Sequence, residues 1–297
     1  MPWGSPERLA PAPQGLRRGV LSASGMKSSV LQLPARGTLV IGTDLQGNLR
    51  DFQRLHAHFE ALGPEAQLVL TGDLVHGPDE DTAGQWPDFL GTPYRDESPA
   101  LIDTFVAAQK KAPGRVHCLM GNHDHAHLGG PVTAKFHPDE AAQLEAQLGA
   151  EGTARWRALA AGFPLVAVAP CGVVMTHAAP GVPLESRAQL EGIAWDRYRG
   201  DSIDTFFRRP VLGPLLWARS ASDEVVAQFL SVLGGTVAVF GHDVVREGFA
   251  RDGVNQVVVS TSFGLFDEDK VFVQVELGAR YENAAALREG VELRKLY

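Results

Sequence analysis

Apolar residues recur along the chain in two patterns, which predict alternating strands and helices. The run Thr38-Leu-Val-Ile-Gly-Thr43 is continuous and β-branched, as in a buried strand. After it, Asn48 can cap a helix, and Gly63 and Pro64 can end it. The apolar positions between these signals recur every three or four residues, the spacing of one helix face: Leu49, Phe52, Leu55, Phe59 and Leu62.

The same patterns extend through the rest of the chain. They predict further strands over 67–71, 116–120, 165–169, 173–176, 236–240, 257–260 and 271–276, and helices over 99–111, 139–161 and 223–233. Strands 165–169 and 173–176 are predicted to pair, and strands 257–260 and 271–276 to form a closing hairpin. A strand followed by a helix near the start of the chain, and pairs of strands in its second half, favour an α/β protein in which helices flank two packed sheets.

Composition narrows the class of protein. The 297 residues are 44% hydrophobic and 21% charged, which is typical of a globular protein with a sizeable core. The 27 basic and 35 acidic residues give a net charge of −8, which argues against binding to a nucleic acid duplex. Two cysteines cannot form a disulfide framework, and no segment has the pattern of a membrane span or signal peptide. We therefore expect a cytoplasmic protein with no membrane partner.

The chain is predicted to be one domain preceded by an arm. Residues 1–36 are rich in Pro, Gly, Ser, Ala and Arg and show no sustained periodicity, so they are predicted to be a loose N-terminal arm. Residues 37–297 are predicted to form the domain, and no internal repeat divides them.

Polar motifs directly follow predicted strands at five places. They are Asp44-Leu-Gln46-Gly-Asn48, Gly72-Asp73, Gly121-Asn122-His123-Asp124, His177 and Gly241-His242. Strand ends are rigid places on which to mount side chains, and the loops beyond them leave room for a ligand. Carboxylate, amide and imidazole groups bind metals, and the set contains no thiolate, which disfavours a structural zinc cluster.

Each motif alone has an ordinary interpretation. A Gly-Asp pair is most often a turn, and a single histidine is more often a hydrogen-bonded residue than a ligand. Gly-Asn-His-Asp also fits a loop rich in turn formers. The order and placement of all five motifs together nevertheless predict a metal site.

The five motifs resemble those of the calcineurin-like metallophosphoesterases, especially the branch of phosphoprotein phosphatases and diadenosine tetraphosphatases. The family pattern is Asp-x-His-Gly, Gly-Asp, Gly-Asn-His-Glu/Asp, a later His and then Gly-His, and the resemblance spans residues 38–262. It implies a four-layer α/β/β/α sandwich of two mixed sheets with flanking helices. It also implies two divalent metal ions at one sheet edge, with manganese favoured and iron, zinc or magnesium as alternatives.

The resemblance implies a metal ligand at six positions. Those of the first metal are Asp44 and Gln46, the bridging ligand is Asp73, and those of the second metal are Asn122, His177 and His242. Elementary chemistry agrees, because two ions about 3.5–4 Å apart clamp the attacking and leaving oxygens of an in-line displacement. A divalent metal also lowers the pKa of bound water, which supplies a nucleophile near neutral pH.

Further matching residues are implied to handle protons and phosphate. His123 would be the acid for the leaving group, and Asp124 would orient it. Arg219, in the segment Leu215-Leu-Trp-Ala-Arg219, would hold phosphate oxygens with its planar fork of donors.

The sequence departs from the family pattern in three places. Gln46 stands where the family normally has a histidine, and this neutral oxygen ligand weakens the first-metal site and favours manganese or magnesium over iron. The pattern Gly-Asp-x-x-Asp-Arg-Gly is replaced by Gly72-Asp-Leu-Val-His76-Gly77-Pro78, which lacks the phosphate-binding arginine. His76 could support Gln46, bind phosphate or face solvent. After Gly241-His242, a second histidine is also missing, since Val244 stands there.

Two other segments carry open alternatives. Residues 79–98 lengthen the connection between two motifs, either as an exposed loop or as a substrate rim. His125 and His127 flank a motif, and each is either a substrate contact or a solvated loop residue.

Three functions are compatible with these residues. The first is a metal-dependent phosphomonoesterase similar to the phosphoprotein phosphatases, with a phosphorylated protein or small phosphoester as its partner. The second is a hydrolase of dinucleoside polyphosphates, which would use the same metals. The third is a non-catalytic metal- or phosphate-binding protein that has lost the first metal, which the departures at Gln46 and at the missing arginine would explain.

Overall fold

The computed structural model describes residues 28–78 and 86–297. Within these ranges, the strands form a six-stranded and a five-stranded mixed sheet. In chain order they are β1 Val30–Gln32, β2 Thr38–Gly42, β3 Gln67–Leu70, β4 Val116–Cys118, β5 Val166–Val168, β6 Val173–Met175, β7 Val237–Phe240, β8 Phe249–Asp252, β9 Gln256–Val259, β10 Val271–Glu276 and β11 Leu293–Lys295. The larger sheet has the order β1-β5-β6-β7-β9-β8, and the smaller sheet has the order β11-β10-β2-β3-β4.

The α-helices connect and cover these strands. They are α1 Leu49–Ala61, α2 Ser98–Lys111, α3 Asn122–Ala126, α4 Glu140–Ala160, α5 Ile203–Phe207, α6 Leu212–Trp217 and α7 Asp223–Leu233. Short 3₁₀ helices span Asp88–Leu90, Arg187–Leu190, Trp195–Tyr198, Asp267–Asp269 and Ala284–Ala286. The predicted cap of α1 is present, because Asn48 Oδ1 accepts a hydrogen bond from the Asp51 amide at 3.1 Å. Helix α4 is interrupted at Gly149, where φ is 66°.

Alternate side chains of the strands face two different apolar layers. In β2, Leu39 and Ile41 pack in the cluster between the sheets, whereas Val40 packs in the cluster beneath the helices. In β7, Val239 and Ala238 divide between the two layers in the same way. Helices α1 and α2 lie against the five-stranded sheet, and α7 lies against the six-stranded sheet. The predicted four-layer α/β/β/α sandwich is therefore confirmed.

Two parts of the topology differ from the sequence prediction. Residues 30–32 form β1, which pairs in parallel with β5, so the predicted loose arm over 1–36 is wrong in this part. The remainder of that prediction, residues 1–27, lies outside the described residues. Strands β9 and β10 do not form the predicted hairpin, because they lie in different sheets. The loop between them crosses from one sheet to the other, and Thr261 Oγ1 joins the sheets by accepting from Thr43 N and donating to Val271 O.

Within the described residues, no helix combines the length and the apolar composition needed to cross a lipid bilayer.

Candidate metal centre

The polar motifs meet because their strands end at a common edge of the sandwich. Strands β2, β3 and β4 are parallel neighbours in one sheet, and β6 and β7 are parallel neighbours in the other. Parallel neighbours present their carboxyl ends on the same side of a sheet. The structure accordingly gathers side chains that are far apart in the sequence: Asp44, Gln46, Asp73, Asn122, His177 and His242.

The second-metal set converges on one point. His177 Nδ1 lies 3.1 Å from the carbonyl oxygen of Thr71, which can only accept, so this nitrogen carries the proton. In the neutral ring, Nε2 is then an acceptor, and it lies 2.8 Å from Asn122 Oδ1 and 3.1 Å from His242 Nδ1. Asp73 Oδ1 is 3.5 Å from the same nitrogen. Potential ligand atoms that converge in this way fit a divalent cation, which would supply positive charge between them.

The two residues of the first-metal set make other contacts, and one of them binds a lysine. Both carboxylate oxygens of Asp44 accept from the His242 backbone amide, at 3.1 and 2.9 Å, which ties the edges of the two sheets together. Gln46 Nε2 lies 3.5 Å from Asp73 Oδ2. Gln46 Oε1, the only side-chain atom of this residue that could bind a metal, accepts from Lys135 Nζ at 3.0 Å. Lys135 belongs to no motif or periodic segment, so no sequence signal indicated its position.

The backbone is strained at these same residues. Among the described residues, the non-glycine residues with positive φ are Asp44 at 46°, Gln46 at 41°, Asp73 at 53°, His76 at 74° and His242 at 67°. This region of backbone conformation is unfavourable for residues with a side chain and concentrates at functional sites. The motif loops are therefore held in geometries that general turn preferences would not select.

Burial disfavours charge throughout the centre. It raises the pKa of Asp44 to about 6, against the opposing attraction of His177. It also raises the pKa of Asp73 and lowers the pKa of His242 and His177. A bound cation would favour the ionised carboxylates and the neutral imidazoles, which are the forms that ligate metals.

A line of buried histidines runs from the centre into the protein. His123 Nδ1 lies 3.0 Å from His76 Nδ1, and His76 Nε2 lies 2.9 Å from His127 Nε2. His127 Nδ1 lies 2.9 Å from the carboxylate of Glu145, which also binds Arg157. His76 thus contacts neither Gln46 nor solvent, and His127 is buried, which overturns the solvated interpretation of both residues.

The glutamate at the end of this line fixes the tautomers of the three neutral rings. Glu145 can only accept, so His127 donates from Nδ1 and accepts at Nε2. His76 must then donate from Nε2, which leaves its Nδ1 to accept from His123. The second nitrogen of His123, Nε2, is consequently unprotonated, and it lies 3.9 Å from Asp73 Oδ2 at the metal centre. In this state His123 Nε2 is free to take up a proton.

Glu140 provides a negative charge beside this pair of rings. Its Oε1 accepts from the Phe136 backbone amide at 2.9 Å. Its Oε2 is buried without a hydrogen-bond partner and lies 3.5 Å from His123 Nδ1 and 3.9 Å from His76 Nδ1. An imidazolium at His123 would therefore be stabilised by a carboxylate. Glu140 is the first residue of α4, and no motif in the sequence indicated this role.

Asp124 has a different place from the one predicted. Its Oδ2 accepts from the amides of Asp73 and Gly121, at 2.8 and 3.1 Å, and its Oδ1 accepts from the Leu74 amide at 3.1 Å. The carboxylate is thus used to join two motif loops, and the prediction that it orients His123 is wrong. Gly121 is required at this junction because a Cβ there would overlap Asp73. His76 and Glu140 contact the His123 ring instead.

His125 points away from the centre, which also overturns its predicted exposure to solvent or substrate. Its ring is buried among Trp195, Tyr198 and Phe206, and its Nε2 lies 3.0 Å from the Trp195 carbonyl oxygen. Burial lowers the pKa of His125 to about 4. The folded protein therefore binds this proton more weakly than the unfolded chain, whose histidines titrate near pH 6.5.

Acid is expected to destabilise the protein partly through His125. Above about pH 6.5 its contribution is fully present, and it is lost as the pH falls towards 4, because the unfolded chain takes up the proton first. Substituting His125→Gln should remove about 3 kcal/mol of the stability difference between pH 7 and pH 4. Urea unfolding of both proteins at the two pH values measures this difference. An equal loss of stability in both proteins would contradict the assignment.

The segment preceding α2 supports the Gln46 loop. Residues 79–85 of the predicted insertion lie outside the described residues. Farther along, the Tyr94 hydroxyl donates to the Gln46 carbonyl oxygen at 2.9 Å, and Asp96 Oδ1 accepts from the Gly77 amide at 3.2 Å. The described part of the insertion therefore buttresses the centre.

A cavity of about 210 Å³ opens over the metal centre. Its wall includes Asp73, His123, Lys135, Trp217 and Arg219. The side chain of Arg219 is 63% exposed and forms an ion pair with Asp243 at the rim. A neighbouring groove of about 580 Å³ shares Trp217 and Arg219 with this cavity. Phosphate at the centre would thus lie between the predicted metal ligands and two basic side chains.

Solved structures with the same fold include phosphatases. A protein serine/threonine phosphatase from Saccharomyces cerevisiae, with similarity to human phosphatase PP5, is 15% identical, with a TM-score of 0.57 over 84% of this chain and 77% of the other. The cold-active protein-tyrosine phosphatase of a Shewanella species is 13% identical, with a TM-score of 0.56 over 85% and 78% of the two chains. At these identities, the likeness establishes the fold.

The family is established by sequence. No curated protein matches the chain significantly. A family model described as calcineurin-like phosphoesterase, however, matches residues 38–246, which is most of the chain. This range contains all the motifs that meet at the sheet edge. The protein therefore belongs to the calcineurin-like phosphoesterase family.

Proposed function

We propose that this protein is a metal-dependent phosphatase that hydrolyses phosphate monoesters, similar in chemistry to the phosphoprotein phosphatases. The observation that carries the proposal is the convergence of potential ligand atoms of Asp73, Asn122, His177 and His242. Asp73, Asn122 and His242 line one small cavity together with His123, whose unprotonated Nε2 lies 3.9 Å from Asp73 Oδ2. Cation ligands and a proton-transfer group are thus combined at a site with room for a phosphoryl group.

The residues of the centre divide into ligands and substrate contacts. Asp73, Asn122, His177 and His242 would hold a divalent ion, and Asp44 and Gln46 are the remaining ligands of the two-metal centre that the family pattern implies. This mixture of oxygen and imidazole donors suits manganese, with iron, zinc or magnesium as alternatives. When bound, the metal supplies a nucleophile of lowered pKa and positive charge for the phosphoryl oxygens.

His123 supplies the proton for the leaving group. Burial holds the pKa of the ring well below its usual value in the free protein, and Lys135 lowers it further. A phosphate dianion in the cavity acts in the opposite direction, because it favours the charged ring. Glu140 stabilises the same charged form from behind. The ring can then hold a proton on Nε2 and donate it to the departing oxygen, while Nδ1 remains bonded to His76.

Arg219 is placed to orient the substrate. Its guanidinium lies at the rim that joins the cavity to the neighbouring groove, and it pairs there with Asp243. An arriving phosphate competes with Asp243 for the same fork of donors. The groove continues past Arg208 and Phe207, which gives a mixed basic and apolar path for the alcohol or peptide part of the substrate.

The function is tested with a simple aryl phosphate and purified protein loaded with Mn²⁺, Fe²⁺, Zn²⁺ or Mg²⁺ in turn. Turnover that depends on the metal supports the proposal, and absence of turnover in protein that binds metal contradicts it. Rates on phosphopeptides and dinucleoside polyphosphates then distinguish the two substrate classes. Faster cleavage of phosphopeptides is the expected result.

A non-catalytic binding protein is the second candidate, and the contact between Lys135 and Gln46 favours it, because that contact occupies part of the first-metal set. Elemental analysis distinguishes it when combined with the activity assay. At most one bound ion, together with no activity in excess Mn²⁺, would favour the binding protein.

A further inference from the structure

The orientation of the Gln46 side-chain amide leaves no ligand atom of this residue for a metal at the first position. A metal at this position needs the carbonyl oxygen of the side chain, because the NH₂ group has no lone pair to offer. The oxygen is directed to Lys135 Nζ at 3.0 Å, and the NH₂ group is directed to Asp73 Oδ2 at 3.5 Å. The oxygens of Gln46 and Asp73 that would bind the first ion therefore already accept hydrogen bonds, from Lys135 and from the Gln46 NH₂ group.

Lys135 itself reaches this position from the rim. Its stem is exposed, but its ammonium group contacts the buried Gln46 side chain and lies 4.0 Å from the centre of the Phe263 ring. Asp73, Glu140 and Asp44 all attract this charge. An ammonium group that donates to an amide oxygen, lies against an aromatic face and is attracted by nearby carboxylates has the surroundings of a bound cation.

We propose that the Lys135 ammonium takes the place of the first metal, so that the centre holds a single divalent ion. That ion is bound by Asp73, Asn122, His177 and His242. The inference rests on the proposed function, because that function requires this one metal site. The first ion of the family's two-metal centre is replaced by the fixed positive charge of Lys135. Asp44 then acts mainly through the His242 amide, as its hydrogen bonds show.

The departures of the sequence from the family pattern agree with this arrangement. Gln46 cannot supply the imidazole that normally binds the first ion, and Val244 stands where many members have a second histidine. Each change removes a ligand from the first ion, whereas the four ligands of the second ion remain together. A lysine needs an acceptor, which the Gln46 carbonyl provides, and negative charge nearby, which Asp73, Glu140 and Asp44 provide.

The number of bound ions tests the inference directly. Metal-free protein is equilibrated with Mn²⁺, the ions are counted by elemental analysis, and electron paramagnetic resonance shows whether they are isolated or coupled in pairs. The variants are Lys135→Met, the double variant Gln46→His with Lys135→Met, and His242→Ala. Arg219→Met is the matched control, because it removes a positive charge from the same cavity without touching Gln46.

We expect one isolated Mn²⁺ per chain in the unchanged protein and in Arg219→Met, and none in His242→Ala. The double variant should bind a second ion that is coupled to the first, and Lys135→Met alone should bind a second ion more weakly. If the double variant is not folded by circular dichroism, Lys135→Met decides the matter. Lys135 lies on the rim, so its replacement leaves the core intact.

Other outcomes separate failure of this inference from failure of the proposed function. Two coupled ions in the unchanged protein would overturn the role of Lys135 and leave the metal-dependent phosphatase intact. A single ion in folded variants that lack Lys135 would also overturn it, because the lysine would not be what excludes the second ion. No bound ion in folded, unchanged protein would overturn the proposed function, and this inference with it.

Discussion

Replacing Asp73 by asparagine is expected to abolish nearly all metal-dependent phosphatase activity. Asp73 lies between the two halves of the centre, since one carboxylate oxygen faces His177 and the other faces Gln46. The substitution removes the only carboxylate ligand of the proposed ion and the main counter-charge of Lys135. We expect kcat/KM on an aryl phosphate to fall by on the order of 10³-fold, which corresponds to about 4 kcal/mol of transition-state stabilisation.

The comparison variants make this prediction specific. Asp103→Asn, on the exposed surface of α2, should leave both activity and metal content unchanged. Gln46→His alone should keep kcat/KM within about tenfold of the original value, because Lys135 still occupies the neighbouring position. If Asp73→Asn retains its metal and most of its activity, the assignment of this carboxylate as a metal ligand is wrong. If Gln46→His alone abolishes activity, the interpretation of Gln46 is wrong.

Much of the fold could be predicted because strand and helix patterns are local. The cap at Asn48 and the helix and strand over 223–233 and 271–276 follow from neighbouring residues alone. The separation of β9 and β10 into different sheets could not be predicted in this way, because a chain that turns back and a chain that crosses to another sheet have the same local pattern. Strand β1 was missed because its three residues are too few to show a period.

The convergence of the candidate metal ligands could be predicted for a related reason. Each follows a strand, and the parallel order of strands within each sheet brings their ends together. The groups around them could not, because Glu140 comes from α4, and Lys135 and His127 come from the segment between α3 and α4, whose course depends on tertiary packing. Asp124 shows the opposite case. It lies within a motif, but its carboxylate binds backbone amides instead of taking part in the reaction.

Replacing His123 by asparagine is expected to have the second-largest effect, and the size of this effect should depend on the leaving group. An alkoxide needs a proton as it departs, whereas the oxygen of a nitrophenyl ester leaves readily without one. We therefore expect an alkyl phosphate to lose on the order of 10²–10⁴-fold in kcat and a nitrophenyl phosphate to lose much less. Rates on the two esters, measured with the same metal at the same pH, give the ratio.

Metal content and a neighbouring histidine distinguish proton donation from structural damage. His123 faces the centre at 3.9 Å from Asp73 but is not among the four proposed ligands, so His123→Asn should retain its metal. His125→Asn, two residues away and packed against Trp195, should leave the ratio of the two rates unchanged at neutral pH. An equal loss on both esters in metal-loaded His123→Asn would mean that the ring positions phosphate rather than donates a proton. A general acid at Nε2, bonded through Nδ1 to His76, requires the unequal loss.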